Sequence, residues 1–219
     1  ERMKVTVCLN PIHTALAPYG CMLGFKLFSD QMSDRELVKL AEKVGLQEGM
    51  EFVEDPGIIS PKAFIDECIN VRFSNPYLGD TPQRIAADTS QKLPVRYGGT
   101  LRRYARQSEQ ALAGLEFAPL VFAGWCRYLL GVDDRGNAMP VSPDPMLPQL
   151  QAHLKGIEVG RPDSLAGQLR PILSNAALFG VDLYAAGLGE RTEEMFRDML
   201  AGPGAVRATL HRNCVCKQP

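Results

Sequence analysis

The sequence has few signals for β-strands and no long apolar stretch. Its one β-branched run, Val5-Thr6-Val7, is short, so we do not expect a sheet. No apolar run approaches the roughly 20 residues that a membrane-spanning helix needs, and no segment has the pattern of a signal peptide. We therefore expect a cytoplasmic protein that does not enter a membrane.

An excess of charge of either sign is also missing. The 24 Lys and Arg residues nearly balance the 25 Asp and Glu residues, which leaves a net charge of −1. This balance gives no reason to expect binding to nucleic acid. A length of 219 residues with 45% hydrophobic residues is typical of a protein with a real core. The first residues, Glu1-Arg2-Met3, are not a natural start, so we interpret the chain as a piece of a longer polypeptide.

Common catalytic and metal-binding motifs are absent from the sequence. There is no GxGxxG, HExxH, GxSxG or Walker motif. The six cysteines include no CxxC pair, so we expect reduced, buried side chains and no metal site. Cys214-Val-Cys216 is best explained as a disordered tail, with a metal or redox role as the alternative. Asp133-Asp-Arg-Gly-Asn137 looks faintly like a calcium loop, but turn chemistry explains it better.

Signals for helices are frequent. Asn10-Pro11, Ser33–Glu36, Ser60-Pro61 and Thr81-Pro82 are patterns that begin helices, and Gly45 is a plausible end of the second one. Further helices are expected near 95–113, 117–131, 144–155, 164–174, 191–201 and 203–212, with 131–143 as the clearest loop. The predicted fold class is all-α: a single multi-helix domain over residues 1–219.

The first candidate functional group is Lys4, Asn10 and His13. In a desolvated pocket the pKa of a lysine falls, and its amine can act as a general base. An Asn amide and a His ring can stabilise a developing alkoxide, and residues three apart on a helix share a face. Each residue also has a structural alternative: Asn10 as a helix cap, His13 as a hydrogen-bonded core residue, and Lys4 as a solvated surface residue.

The second candidate group is Arg84, Asp88 and Lys92, which follow at four-residue intervals along one predicted helix. A guanidinium binds two oxygens of a carboxylate or phosphate at once, so a short charged helix could clamp an anion or a polyol. Arg96 would add a further charge. The alternative is a solvated ladder of weak ion pairs.

Several segments, in this order, resemble the C-terminal domain of the mannitol dehydrogenase family. These are long-chain, metal-independent polyol and sugar-acid dehydrogenases. The resemblance covers the chain to about residue 200, and its matching segments are 9–17, 72–76, 84–94, 131–137 and 144–145. Within 72–76, Arg72 and Asn75-Pro76 have a simpler interpretation as residues that cap and end a helix.

The resemblance implies a helical substrate domain that follows an N-terminal Rossmann domain, which this chain lacks. NAD or NADP would be bound mainly by that absent domain. The substrate would be a sugar acid such as fructuronate or a polyol such as mannitol. Lys4 would be the general base, Asn10 and His13 would polarise the reacting oxygen, and Arg84 and Lys92 would bind the substrate.

We therefore predict that the parent protein is an NAD(P)-dependent oxidoreductase. It would interconvert a secondary alcohol and a ketone on an open-chain sugar derivative, and this chain alone would be inactive. The alternative function is a non-catalytic helical interaction module that keeps only the family fold.

One feature departs from the family pattern. The family has four residues between its lysine and its asparagine, whereas five separate Lys4 from Asn10. On a helix one extra residue rotates a side chain by about 100°. Either the backbone bulges before Asn10, or Lys4 is not the base.

Overall fold

Helices make up the secondary structure of residues 2–216, the part of the chain that the computed structural model describes. Within this range β pairing is limited to two isolated bridges, Val132 with Ala138 and Glu158 with Arg161. The prediction of an all-α fold is therefore confirmed. None of the described helices has the length and apolar character needed to span a membrane.

The elements between residues 2 and 216 are α-helices and short π or 3₁₀ turns. The α-helices are α1 (Asn10–Met22), α2 (Arg35–Glu42), α3 (Pro61–Glu67), α4 (Pro82–Ala86), α5 (Thr89–Arg96), α6 (Gly98–Gln107), α7 (Glu109–Ala113), α8 (Phe117–Tyr128), α9 (Leu147–His153), α10 (Arg170–Leu173), α11 (Ala176–Phe179), α12 (Gly189–Asp198) and α13 (Ala205–His211). The π turns are Lys4–Cys8, Lys43–Gly49, Cys68–Arg72 and Arg212–Cys216, and the 3₁₀ turns are Ser29–Ser33, Met50–Phe52, Pro76–Leu78 and Pro162–Ser164.

Helix α1 does not begin at an Asn10 cap. The π turn Lys4–Cys8 runs directly into it, and the backbone N–H of Leu9 donates to the carbonyl of Lys4 at 3.2 Å. Leu9 occupies the cap position, and no side chain caps this helix. The capping alternative for Asn10 is therefore wrong, which leaves its amide available for another role.

The second helix also differs from its prediction at both ends. Asp34, and not Ser33, is the cap, with its carboxylate accepting a backbone N–H bond of 3.1 Å. Gly45 does not end the helix, because the π turn Lys43–Gly49 continues the helical path. A Cβ atom at Gly45 would lie 2.8 Å from Cδ1 of Ile12, so this glycine permits close packing against α1.

Ser60 and Thr81 begin α3 and α4 as predicted, since each side chain accepts a backbone N–H three residues on. The helix expected near 95–113 is divided, with breaks at Tyr97 and Ser108 that separate α5, α6 and α7. Helix α11 had no counterpart in the sequence analysis. Its four residues are too few for a periodic pattern to be visible.

Helix α8 lies at the centre of the core, where it packs against α1 and α12. All of its residues are buried, including Trp125. The hydroxyl of Tyr19 donates to the carbonyl of Leu120 at 2.7 Å, and Gly124 faces the same tyrosine. These contacts join the two central helices through both apolar packing and a buried hydrogen bond.

Most of the cysteines are buried and residues 133–137 form a turn, as the sequence analysis expects, but Cys214 differs from its expectation. Five of the six cysteines are buried and all six are unpaired. Cys214 is buried in the π turn Arg212–Cys216, so the expectation of a disordered tail was wrong there. The carboxylate of Asp133 accepts the backbone N–H groups of Arg135 and Asn137 at 2.9 and 2.8 Å, which is a turn.

We predict that Gly124→Ala destabilises the chain, because the added methyl group would overlap the Tyr19 ring. Overpacking of this kind typically costs about 1–3 kcal/mol, which urea denaturation of the chain would measure. Gly99→Ala is the matched control. Its methyl group would meet nothing within 4 Å, and alanine stabilises a helix by about 0.5–1 kcal/mol relative to glycine. Equal effects of the two substitutions would contradict the packing argument.

Candidate functional site

A cavity of about 270 Å³ opens beside the first turn of α1. Two segments distant in sequence complete its wall, one around the 3₁₀ turn Ser29–Ser33 and one around residues 71–80. Its lining residues are Leu9, His13, Phe28, Ser29, Val71, Arg72, Phe73, Asn75, Leu78 and Asp80. Five of these residues are apolar and five are polar or charged, so three segments bring polar groups to the same space.

His13 is the polar group that α1 contributes to this cavity. Its ring lies between two phenylalanine rings, with centroid distances of 4.6 Å to Phe28 and 4.4 Å to Phe73. Among residues 2–216 its ring nitrogens make no hydrogen bond. The structural alternative of a hydrogen-bonded core histidine is therefore not what these residues show, because both ring nitrogens lack a partner among them.

Burial and three cations keep His13 neutral. The pKa of His13 is lowered to about 3, mainly by burial and further by the nearby charges of Arg96, Arg84 and Lys92. At neutral pH the ring therefore has one N–H donor and one acceptor nitrogen. A neutral imidazole can donate a hydrogen bond to a substrate oxygen without adding another positive charge.

Arg84 and Lys92 do not lie on one continuous helix as predicted. The helix is interrupted at Ala87 and Asp88, which separate α4 from α5. Asp88 has a left-handed backbone with φ of 53°. Within the described residues it is the one non-glycine with positive φ. Asp88 is thus not part of an ion-pair ladder on a shared helix face. The break brings the two cations toward His13 from separate helices.

Lys92 and Arg96 are held by neutral acceptors. The Lys92 ammonium donates to the carbonyls of Ile85 at 2.9 Å and Ala87 at 2.5 Å. The Arg96 guanidinium donates to the carbonyl of Asn10 at 3.2 Å and the hydroxyl of Thr14 at 2.5 Å. Burial is the main reason that the pKa of each cation is lowered. Arg96 therefore joins α5 to α1 and is not free to bind a ligand as an extra charge.

Arg84 and Arg72 are paired with carboxylates. Arg84 forms an ion pair with Asp80, four residues before it, and its side chain is 64% exposed. Arg72 bonds Glu67 through Nε at 2.9 Å and Nη2 at 2.8 Å. Their positive charges are therefore partly neutralised. Asn75 caps the 3₁₀ turn after it by accepting from the N–H of Tyr77 at 3.0 Å, in agreement with the capping interpretation.

Lys4 lies in the π turn that precedes α1. Its ammonium nitrogen lies 5.7 Å from the centre of the Phe64 ring, and the Arg72 guanidinium lies 5.0 Å from the same ring. A π turn contains one residue more than an α-turn, so it takes up the extra residue between Lys4 and Asn10. The structure thus has a bulge before Asn10, and the role of Lys4 as the base stays a prediction.

The five predicted site residues are only partly brought together. His13 lines the cavity, Arg84 and Lys92 act on its charge state, and Lys4 and Asn10 are outside the lining set. Sequence reasoning missed Phe28, Ser29 and Asp80. The four-residue spacing of Asp80 and Arg84 was an available signal. Ser29 and the aromatic neighbours have no local signal, because they reach the cavity through tertiary packing.

Ser29 adds a donor that has no partner among residues 2–216. Its hydroxyl is buried without a hydrogen bond and lies in the wall of the cavity. An unsatisfied buried hydroxyl is costly, so a ligand that supplies an acceptor would recover that energy. The site thus brings a neutral imidazole and a buried hydroxyl to a partly aromatic cavity whose charged lining residues are Arg72 and Asp80.

Comparison with known proteins gives consistent matches. A sequence profile of the mannitol dehydrogenase C-terminal domain matches residues 1–194. The chain is 55% identical over 210 residues to D-mannonate oxidoreductase of Thermotoga maritima, and the match covers 96% of this chain and 39% of that protein. It is 32% identical over 187 residues to mannitol 2-dehydrogenase of Pyricularia oryzae, covering 84% of this chain and 34% of that protein.

A solved structure of mannitol 2-dehydrogenase from Pseudomonas fluorescens, a ternary complex with NAD and D-mannitol, has the same fold. It matches with a TM-score of 0.79 and 26% identity, over 100% of this chain and 41% of that one. The chain therefore spans about two-fifths of the length of these relatives.

We predict that the His13 ring does not take up a proton in the folded chain between about pH 8 and pH 4, because its pKa is lowered to about 3. The NMR chemical shifts of its ring protons would stay constant over this range. In urea the same ring should titrate near its ordinary pKa of about 6.5. Since only the unfolded chain then binds this proton, the free energy of unfolding should fall as the pH drops below about 6.5. A folded-state titration near pH 6 would contradict this account.

Proposed function

The chain belongs to the mannitol dehydrogenase family, as its C-terminal domain, and we propose that it is the substrate-binding and catalytic half of an NAD(P)-dependent oxidoreductase. The parent enzyme interconverts a secondary alcohol and a ketone on an open-chain sugar acid or polyol. The observation that carries this proposal is the neutral imidazole of His13, held in a cavity among three cations. Such a group can donate to an oxygen on which negative charge develops.

We assign the proton chemistry to three residues of α1 and its π turn. Lys4 takes the hydroxyl proton of the alcohol when it is oxidised, and returns it when the ketone is reduced. The amide of Asn10 and the ring N–H of His13 donate to the same oxygen while it is charged. Lys4 is half-buried in this chain.

We assign substrate binding to Arg84 and Lys92, with a preference for a sugar acid such as fructuronate. The support is electrostatic, because no carboxylate offsets the Lys92 charge through a direct ion pair among the described residues. An anionic group bound near His13 would meet a positive potential. The 55% identity to a D-mannonate oxidoreductase favours the same substrate class.

We assign the cofactor mainly to the rest of the parent polypeptide. A nicotinamide cofactor supplies or accepts the hydride in a reaction of this class. Residues 2–216 contain no strand, so they have no strand–glycine turn–helix unit for the dinucleotide. The residues of this chain therefore do not fit a complete cofactor site, and the choice between NAD and NADP would be made elsewhere.

An apolar surface beside the cavity suits contact with that cofactor-binding domain. Val71, Tyr77 and Leu78 are 61%, 96% and 58% exposed, and two of them also line the cavity. Exposed apolar patches of this kind commonly mark interfaces. Covering this face would close the cavity and exclude water from the reacting oxygen.

We predict that the parent polypeptide oxidises NADH or NADPH in the presence of fructuronate, tagaturonate or fructose. His13→Ala should lower kcat by roughly 100-fold or more, as expected for loss of an oxyanion donor. The decrease in absorbance at 340 nm measures both proteins, and circular dichroism checks that the variant is folded. Absence of turnover with every substrate would favour the non-catalytic interaction module. Tight NADH binding by the isolated chain would contradict the assignment of the cofactor to another domain.

We predict that the cations discriminate between acids and neutral sugars. Lys92→Met keeps the apolar stem but removes the charge, and should raise the KM for a hexuronate by about tenfold or more, the effect of losing a charged contact. The KM for fructose should change much less. Arg84→Ala should show the same preference with a smaller effect, because Asp80 already pairs with that guanidinium. An equal loss on acid and neutral substrates would remove the argument for a carboxylate.

A further inference from the structure

The break between α4 and α5 is held by the last residues of the 131–143 loop and by Asp144, which follows it. The carboxylate of Asp144 accepts the backbone N–H of Ser90 at 2.8 Å and its hydroxyl at 2.5 Å. The backbone N–H of Asp88 donates to the carbonyl of Pro143 at 2.9 Å. The short segment Pro143-Asp144 therefore fixes both the left-handed residue Asp88 and the first turn of α5.

The same segment is anchored to the core and to α4. The hydroxyl of Ser142 donates to the carbonyl of Gln83 at 2.7 Å, and the Tyr128 hydroxyl bonds to Ser142. Tyr128 is buried at the end of α8. Contacts with the central helix α8 thus fix the segment that contains Asp144. The Asp144 carboxylate in turn fixes the start of α5.

The break creates the acceptors that hold Lys92. In a continuous α-helix the carbonyls of Ile85 and Ala87 would accept backbone N–H groups four residues on. Here the left-handed conformation of Asp88 ends that pattern, and both carbonyls accept from the Lys92 ammonium instead. The location of this ammonium depends directly on the geometry of the break.

We propose that Asp144 is a positioning residue for Lys92. By capping α5 and fixing the break, it holds the Lys92 ammonium against the two free carbonyls and beside His13. This inference rests on the proposed function for the role of Lys92 in substrate binding. The carboxylate does not touch the substrate, and its effect on the reaction passes through Lys92.

A double-mutant cycle in the parent enzyme tests this proposal. Asp144→Ala should lower kcat/KM for the hexuronate by about tenfold, mainly by raising KM. In the Lys92→Met background the same substitution should lower kcat/KM by less than about twofold, because the effects of coupled residues are not additive. Asp144→Asn keeps an acceptor for the Ser90 N–H and should recover part of the loss.

Asp182→Ala is the matched control, because the Asp182 carboxylate also caps a turn, accepting from the N–H groups of Tyr184 and Ala185 at 2.8 and 3.2 Å. It lies outside the cavity lining, so kcat/KM should stay unchanged. Equal losses from Asp144→Ala in both backgrounds would show a general structural role and overturn the proposal.

A crystal structure of the Asp144→Ala variant separates this inference from the proposed function. If the parent protein turns over no substrate, the proposed function fails, but the position of Lys92 can still be measured. Displacement of its ammonium from the carbonyls of Ile85 and Ala87 would support the proposal. An ammonium that stays within hydrogen-bond distance of both would overturn it.

Discussion

The candidate site depends on how firmly α1 is held. Arg96 donates to the carbonyl of Asn10 and the hydroxyl of Thr14, and the hydroxyl of Tyr97 donates to the carbonyl of Pro11 at 2.8 Å. These buried bonds attach the first turn of α1 to α5. Buried polar groups of this kind are costly when unpaired, so the register between the two helices is strongly specified. His13 and Lys92 are therefore carried on elements whose separation cannot easily change.

The repulsion among the charges near His13 is reduced by groups within the site. Three cations near a buried imidazole would repel a fourth charge, and the ring responds by staying neutral, with its pKa lowered to about 3. Each cation in turn has close acceptors, which are carbonyls and a hydroxyl for Lys92 and Arg96 and a carboxylate for Arg84. The site is therefore pre-organised to interact with a negatively charged oxygen before any ligand arrives.

The sequence was sufficient for the fold class because helical spacing and cap residues are local signals. Ser60-Pro61 and Thr81-Pro82 were identified as helix starts by residues that contact their own neighbours. The errors at Asn10, Gly45 and Asp88 share a different cause. At each of them tertiary packing selects a π turn or a left-handed residue in place of the regular helix that local propensity favours. The aromatic walls of the cavity were unpredictable for the same reason, since Phe28 and Phe73 meet His13 only in the folded chain.

The hydrogen-bond acceptors around each cation also affect how strongly that cation attracts an anion. The carboxylates of Asp80 and Glu67 carry full negative charges, so they offset Arg84 and Arg72 at a distance as well as in contact. Carbonyl and hydroxyl dipoles stabilise Lys92 and Arg96 without cancelling their net charge. The positive potential at His13 arises from Arg96, Arg84 and Lys92 in that order, and two of the three lie on α5. Arg96 is held by α1, and Lys92 is held by the carbonyls that the α4–α5 break leaves free, so the geometry of this break sets where Lys92 adds its charge to that potential.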